Sequence, residues 1–202
     1  MARGGGSALE WGMLMTALLT TLALASGNPA AFELSCEYSD KTDEGVFNNA
    51  EHCAREENGG IVFNPEYLRR MQFGDDGLAP AGVAGNWRWV RQDGRSVAVL
   101  TYDNSPDEFE EGLSRGRRPE GMAYYDKQLN LALATSYAWA EPFSGGLAAV
   151  CSHCVIVPEP GGEHSMVVGG DWGAIDRQGR LVLPLRPDAD SLRRELKAAR
   201  AR

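Results

Sequence analysis

Asp171-Trp172-Gly173-Ala174-Ile175-Asp176-Arg177-Gln178-Gly179-Arg180-Leu181-Val182-Leu183-Pro184 decides the fold. Residues 172–175 form a short β run with alternating exposure. Arg177-Gln178-Gly179-Arg180 is a tight-turn sequence in which the glycine supplies a positive φ. Leu181-Val182-Leu183 is the return strand, and Pro184 ends it because proline cannot donate to a ladder. The figure occurs twice upstream, as Trp87-Arg88-Trp89-Val90-Arg91-Gln92-Asp93-Gly94-Arg95 and from Met122 to Asn130. The copies start 35 and then 50 residues apart, and the extra length lies between Val150 and Gly169. The third unit therefore carries an insertion, placed at 151–168.

A second signal precedes each copy: Phe73 with Gly77-Leu78-Ala79, Phe109 with Gly112-Leu113-Ser114, and Phe143 with Gly146-Leu147-Ala148. Its glycines are 35 and 34 residues apart. Each unit thus reads as a β-hairpin plus a third short strand at Gly-Leu-Ala. One such unit buries too little to stand alone, so neighbours must stack. The expected fold class is all-β: tandem hairpin or meander repeats stacked into a small solenoid-like or curved antiparallel array. The expected segments are 1–25, 26–60, a repeat domain over 61–187, and a short helix or tail over 188–202. In the last, Asp190 or Ser191 caps the helix, and Leu192 and Leu196 give one narrow apolar stripe.

Residues 171–184 resemble a full copy of the bacterial WG (KWG) repeat, with Trp172, Gly173, Asp176, Gly179 and Pro184 as its signature. Phe143, Gly146 and Leu147 match the upstream half of that repeat. The first two units depart from it: Trp87-Arg88 and Met122-Ala123 stand for Trp-Gly, and Leu129 stands for the turn glycine. The chain also resembles exported WG-repeat proteins of Gram-negative bacteria that carry Cys-x-x-Cys and Glu-His in the last unit, here Cys151, Cys154, Glu163 and His164. The resemblance implies β-repeat architecture and no particular chemistry.

The chain has 202 residues and a net charge of −8. That balance argues against nucleic acid as a partner, since phosphate binding needs clustered Lys and Arg. The apolar run from Trp11 to Ala25, followed by Ser26-Gly27-Asn28-Pro29, is laid out as a secretory signal peptide cleaved after Ala25. The run is too short for a comfortable membrane span of about 20 residues. The expected location is periplasmic or secreted, with no membrane span after cleavage. An even cysteine count in an exported chain argues for disulfides, Cys36 with Cys53 and Cys151 with Cys154. The first would stabilise a segment poor in apolar residues by roughly 3 kcal/mol.

The insertion gathers Cys151, His153, Cys154, Glu163 and His164. Two cysteines at this spacing are also zinc ligands or a redox pair, with His153 or His164 as further ligands. A disulfide is the reading preferred here, so the weak metal candidates remain Cys151, His153, Cys154 and His164. The acidic loop Asp103, Asp107, Glu108, Glu110 and Glu111 reads as a solvated face rather than an acid–base pair. Asp75-Asp76-Gly77 lacks the other ligands of a calcium loop. Trp87, Trp89, Trp139 and Trp172 read as stacked core rather than a carbohydrate- or peptide-binding surface. The expectation is a non-enzymatic module without a cofactor, binding an unknown protein or cell-envelope ligand. The alternative is a metal-binding or redox protein built on Cys151 and Cys154.

Overall fold

The structure is a computed structural model describing residues 31–43, 45–162, 164–187 and 189–200. The expected signal peptide lies outside the described residues. The chain begins with β1 (Leu34–Ser39), β2 (Phe47–Glu57), β3 (Gly60–Phe63) and the short helix α1 (Pro65–Arg70). Asn64 caps α1, accepting from the Glu66 amide at 3.0 Å, and Pro65 follows where a missing N–H costs nothing. Cys36 and Cys53 are disulfide-bonded across the β1–β2 hairpin.

Three meanders follow. Unit 1 is β4 (Leu78–Val83), β5 (Asn86–Arg91) and β6 (Ser96–Ala98). The hairpin β7 (Thr101–Tyr102) and β8 (Ser105–Pro106) leads to unit 2: β9 (Leu113–Arg118), β10 (Gly121–Asp126) and β11 (Leu131–Ala134). The short β12 (Trp139–Ala140) leads to unit 3, which starts with β13 (Leu147–Ser152). The inserted hairpin β14 (Val155–Pro158) and β15 (Ser165–Val168) interrupts it before β16 (Asp171–Asp176) and β17 (Leu181–Arg186). Helix α2 (Ala189–Arg200) ends the described chain. The fold is thus all-β with a short C-terminal helix. No helix among the described residues is long and apolar enough to cross a membrane.

The expected boundary at residue 60 is not a break. One antiparallel sheet runs β3-β2-β1-β4-β5-β6, joining the N-terminal strands to unit 1. Cys36, Tyr38, Cys53, Phe63 and Met71 are buried against Ala79, Ala81, Val83 and Val90 of unit 1. The N-terminal segment buries little of its own but completes the core of its neighbour.

The hairpin turns of the three units share one geometry. Gly94, Leu129 and Gly179 all take positive φ (85°, 61° and 77°), and each N–H bonds back three residues, to Arg91, Asp126 and Asp176. This is the three-residue loop that closes on a left-handed residue. Leu129 accepts that conformation without being glycine. Asp126 compensates by accepting from the Gln128 and Asn130 amides at 2.9 and 2.8 Å. Asp176 does the same for Gln178 and Arg180. Burial pushes the Asp176 carboxyl up, but the Arg180 and Gln178 hydrogen bonds outweigh it and hold the group below the ordinary carboxylate range.

Side chains alternate across each meander, so every unit has two faces. In unit 3, Ala148, Val150 and Ile175 pack on Leu113, Met122 and Tyr124 of unit 2. The intervening Leu147, Ala149, Cys151, Trp172 and Ala174 pack with Leu192 and Leu196 of α2. Exposed ion pairs repeat between units: Lys127 reaches back to Asp76 at 3.0 Å and Arg177 to Glu111 at 3.4 Å. Each contributes at most about 1 kcal/mol, so they set register more than stability.

Gly173 shows why unit 3 needs glycine after its tryptophan. A Cβ there would stand 2.8 Å from the Leu183 carbonyl oxygen and 3.1 Å from Leu181. The β16–β17 register shifts at this point and brings that carbonyl across. Gly173→Ala is expected to destabilise the protein by about 1–3 kcal/mol, read as a lower urea midpoint at unchanged slope.

Candidate functional site

Burial and charge meet first at Asp107 and Arg115, both under 10 % exposed. Asp107 follows β8, and Arg115 points from β9. The guanidinium grips the carboxylate through Nη2 at 2.6 Å and Nε at 3.1 Å, and the Arg115 amide donates to the same carboxylate at 2.8 Å. Arg115 Nη1 donates to the Ala140 carbonyl of β12 at 3.1 Å. The Asp107 carbonyl accepts from the Trp89 indole of unit 1 at 2.9 Å and the Ser114 hydroxyl at 2.8 Å. Asp107 is therefore committed to holding units together. The rest of the acidic loop does not assemble around it: Asp103 lies in the β7–β8 turn with φ 44°, and Glu108 and Glu110 are exposed. Glu111 accepts from Arg177 and from the Gly146 amide.

Sequence reasoning missed Arg115. The signal was its position: aligned on the repeat, it stands where unit 3 has Ala149. A charge in an apolar frame requires a partner. A second buried carboxylate, Asp40, accepts from the Thr42 amide and hydroxyl and from Arg70. Those bonds, the Thr42 amide first, hold its pKa at about 2.

The structure places the insertion cysteines side by side but unbridged. Cys36–Cys53 is formed, whereas Cys151 and Cys154 are free, buried thiols, so the second expected disulfide is absent from this structure. Cys151 Sγ lies within hydrogen-bonding reach of the carbonyls of Ser152 at 3.5 Å and Gly169 at 3.8 Å as well as of its neighbour Cys154. Burial first, and then the hydrogen bond with Cys154, pushes the Cys151 thiol up to about 12. His153 sits in the turn between them at φ 60° with its side chain 86 % exposed and Nδ1 3.9 Å from Asp171. His164 is exposed on the inserted hairpin, and Glu163 lies outside the described residues. Among the described residues no three His, Cys, Asp or Glu side chains gather as a metal site would require.

The four tryptophans among the described residues serve packing. Trp87 meets Phe47 edge-on at 5.2 Å, Trp89 leans on Phe109 at 5.4 Å, and Arg115 lies over Trp139 at 5.5 Å. Trp172 is buried under α2. Beside it a cavity of about 350 Å³ opens between α2 and unit 3, with Phe143, Trp172, Leu192 and Leu196 in its walls and Glu110, Glu141, Arg193 and Arg200 around them.

Arg115→Ala leaves Asp107 charged and buried without its partner, so a loss of about 3–5 kcal/mol is expected in chemical denaturation. The double change Arg115→Met with Asp107→Leu is expected to recover most of it. In protein purified with reductant, Cys151 is expected to alkylate on the order of a hundredfold slower folded than in denaturant, since the thiolate is the reacting form. Mass mapping of the modified thiols checks this.

No curated protein and no solved structure matches the chain. The family model described as "WG containing repeat" matches residues 122–152. That span runs from β10 of unit 2 into β13 of unit 3, so the family's frame starts one strand later than the meander. The Trp172-Gly173 copy falls outside the matched residues. Three meanders built to one plan and the match over the middle of them support reading this chain as a WG-repeat protein.

Proposed function

We propose that the chain is an exported, non-catalytic interaction module whose contact surface is on unit 3. The observation that carries this reading is where apolar side chains meet solvent. Of ten large apolar side chains exposed among the described residues, six belong to unit 3: Val155, Ile156, Met166, Leu181, Val182 and Leu185. They stand on the inserted hairpin and on β17, the last strand of its sheet. Exposed apolar groups on a free edge mark interaction surfaces in soluble proteins. The most buried carboxylate of the acidic loop, Asp107, is meanwhile occupied by Arg115. The apolar leader at 11–25 supports export.

The test is position-specific photo-crosslinking in the exporting cell. A photoreactive residue at Ile156 or Leu181 is expected to trap one discrete species, and the same residue at exposed Arg118 is not. Ile156→Lys with Met166→Lys should abolish the adduct while leaving the melting temperature within a few degrees. Equal labelling from all three positions, or none, overturns the reading. Recovery of a mature chain starting at Ser26 checks the export step.

A further inference from the structure

Units 1 and 2 each present a face that the next unit covers. In unit 2 that face includes Leu113, Met122 and Tyr124, packed on Phe143, Ala148, Val150 and Ile175. The aligned positions of unit 3 are Leu147, Trp172 and Ala174, and here α2 stands where a fourth unit would stack. The substitute is thin. Only Leu192 and Leu196 of α2 are buried, one helical turn apart. They fill the face incompletely, and the cavity of about 350 Å³ beside Trp172 is what remains. A helix of about 12 residues is marginal alone and depends on such packing. Glu110 and Glu141 on the body of the protein and Arg193 and Arg200 of α2 line that cavity, with Arg193 paired to Asp190 of its own helix at 2.9 Å. Arg200 also donates to the Leu147 carbonyl at 3.1 Å, and its aliphatic stem covers Gly145.

We propose that this face of unit 3 is a docking surface for a basic amphipathic helix with leucines four residues apart. α2 fills it in cis, and a partner's helix of the same chemistry replaces α2. The proposal rests on the interaction-module reading and gives that module a second, specific contact. α2 itself is the template for the occupant, since its two leucines and Arg200 are the groups the face receives.

The experiment uses the full chain carrying Leu192→Asp and Leu196→Asp, which loosens α2 without removing it. A fluorescein-labelled peptide of residues 189–200 is titrated in and followed by anisotropy. Saturable one-to-one binding is expected, at least about tenfold weaker for a peptide carrying the same two aspartates. Wild-type protein should bind weakly, because its own helix competes at high effective concentration. An unrelated basic helix with the same leucine spacing should bind the loosened chain within about tenfold of the α2 peptide. Binding restricted to the α2 sequence overturns the partner class. No saturable binding, or equal binding of the aspartate peptide, overturns the site. So does loss of the cooperative melt in the loosened chain, since α2 would then be core rather than a replaceable occupant. Crosslinking from Ile156 reads a different surface of the wild-type chain, so a failed titration beside positive crosslinks rejects the helix site alone.

Discussion

Arg115 holds the three units in register. A guanidinium has five donors in a rigid plane, so it can face two ways at once. Here it grips Asp107 on the connection from unit 1 and the Ala140 carbonyl on the connection to unit 3. Asp107 passes the link on, since its own carbonyl takes the Trp89 indole of unit 1. Apolar burial is non-directional and would allow neighbouring meanders to slide. A buried, bidentate charge pair allows one arrangement and makes the others costly. The exposed pairs Lys127–Asp76 and Arg177–Glu111 repeat the same instruction at the turns, where it is weak but periodic.

Around that node the two-faced meander dictates the remaining anatomy. Each unit has one apolar face toward its predecessor and one toward its successor, so an array of any length ends with an unsatisfied face at each end. The chain solves the two ends differently. The first is closed by β1–β3 and α1, with a disulfide where apolar side chains are scarce. The last is closed by a helix that offers two leucines to a face built for a repeat. The first closure continues a sheet through the β1–β4 pairing and is stapled internally by its disulfide, whereas the second rests on side-chain packing.

Much of this was legible from the chain. Glycines at a fixed spacing fixed the strand order within each unit, and the 50-residue step between the last two copies located the insertion now seen as β14–β15. Cys36 and Cys53 announced their bridge by their surroundings. Three things were not legible, each for a physical reason. The segment 26–60 was set apart from the repeats because charge content cannot tell that Cys36, Tyr38 and Cys53 face a neighbour's core. Arg115 was passed over because repeat signatures mark turns and apolar positions, and its partners lie on two separate connections. The state of Cys151 and Cys154 depends on where a buried thiol points, which a Cys-x-x-Cys spacing does not encode.

The turns also distinguish the first and third units from the second. Between units, a basic residue after the strand pairs with an acidic residue before the preceding unit's turn glycine: Lys127 with Asp76, Arg177 with Glu111. At the first unit the basic position holds Gln92, which has no earlier acidic turn to meet. At the last, the acidic position holds Gly145, where a Cβ would already be within 3.1 Å of Arg200. Unit 3 therefore has no acid at this position, and its glycine leaves room for the Arg200 side chain of α2. The position that meets the next unit's cation in units 1 and 2 thus meets α2 in unit 3, so the helix occupies at the turn, as on the sheet face, the place of a neighbouring unit.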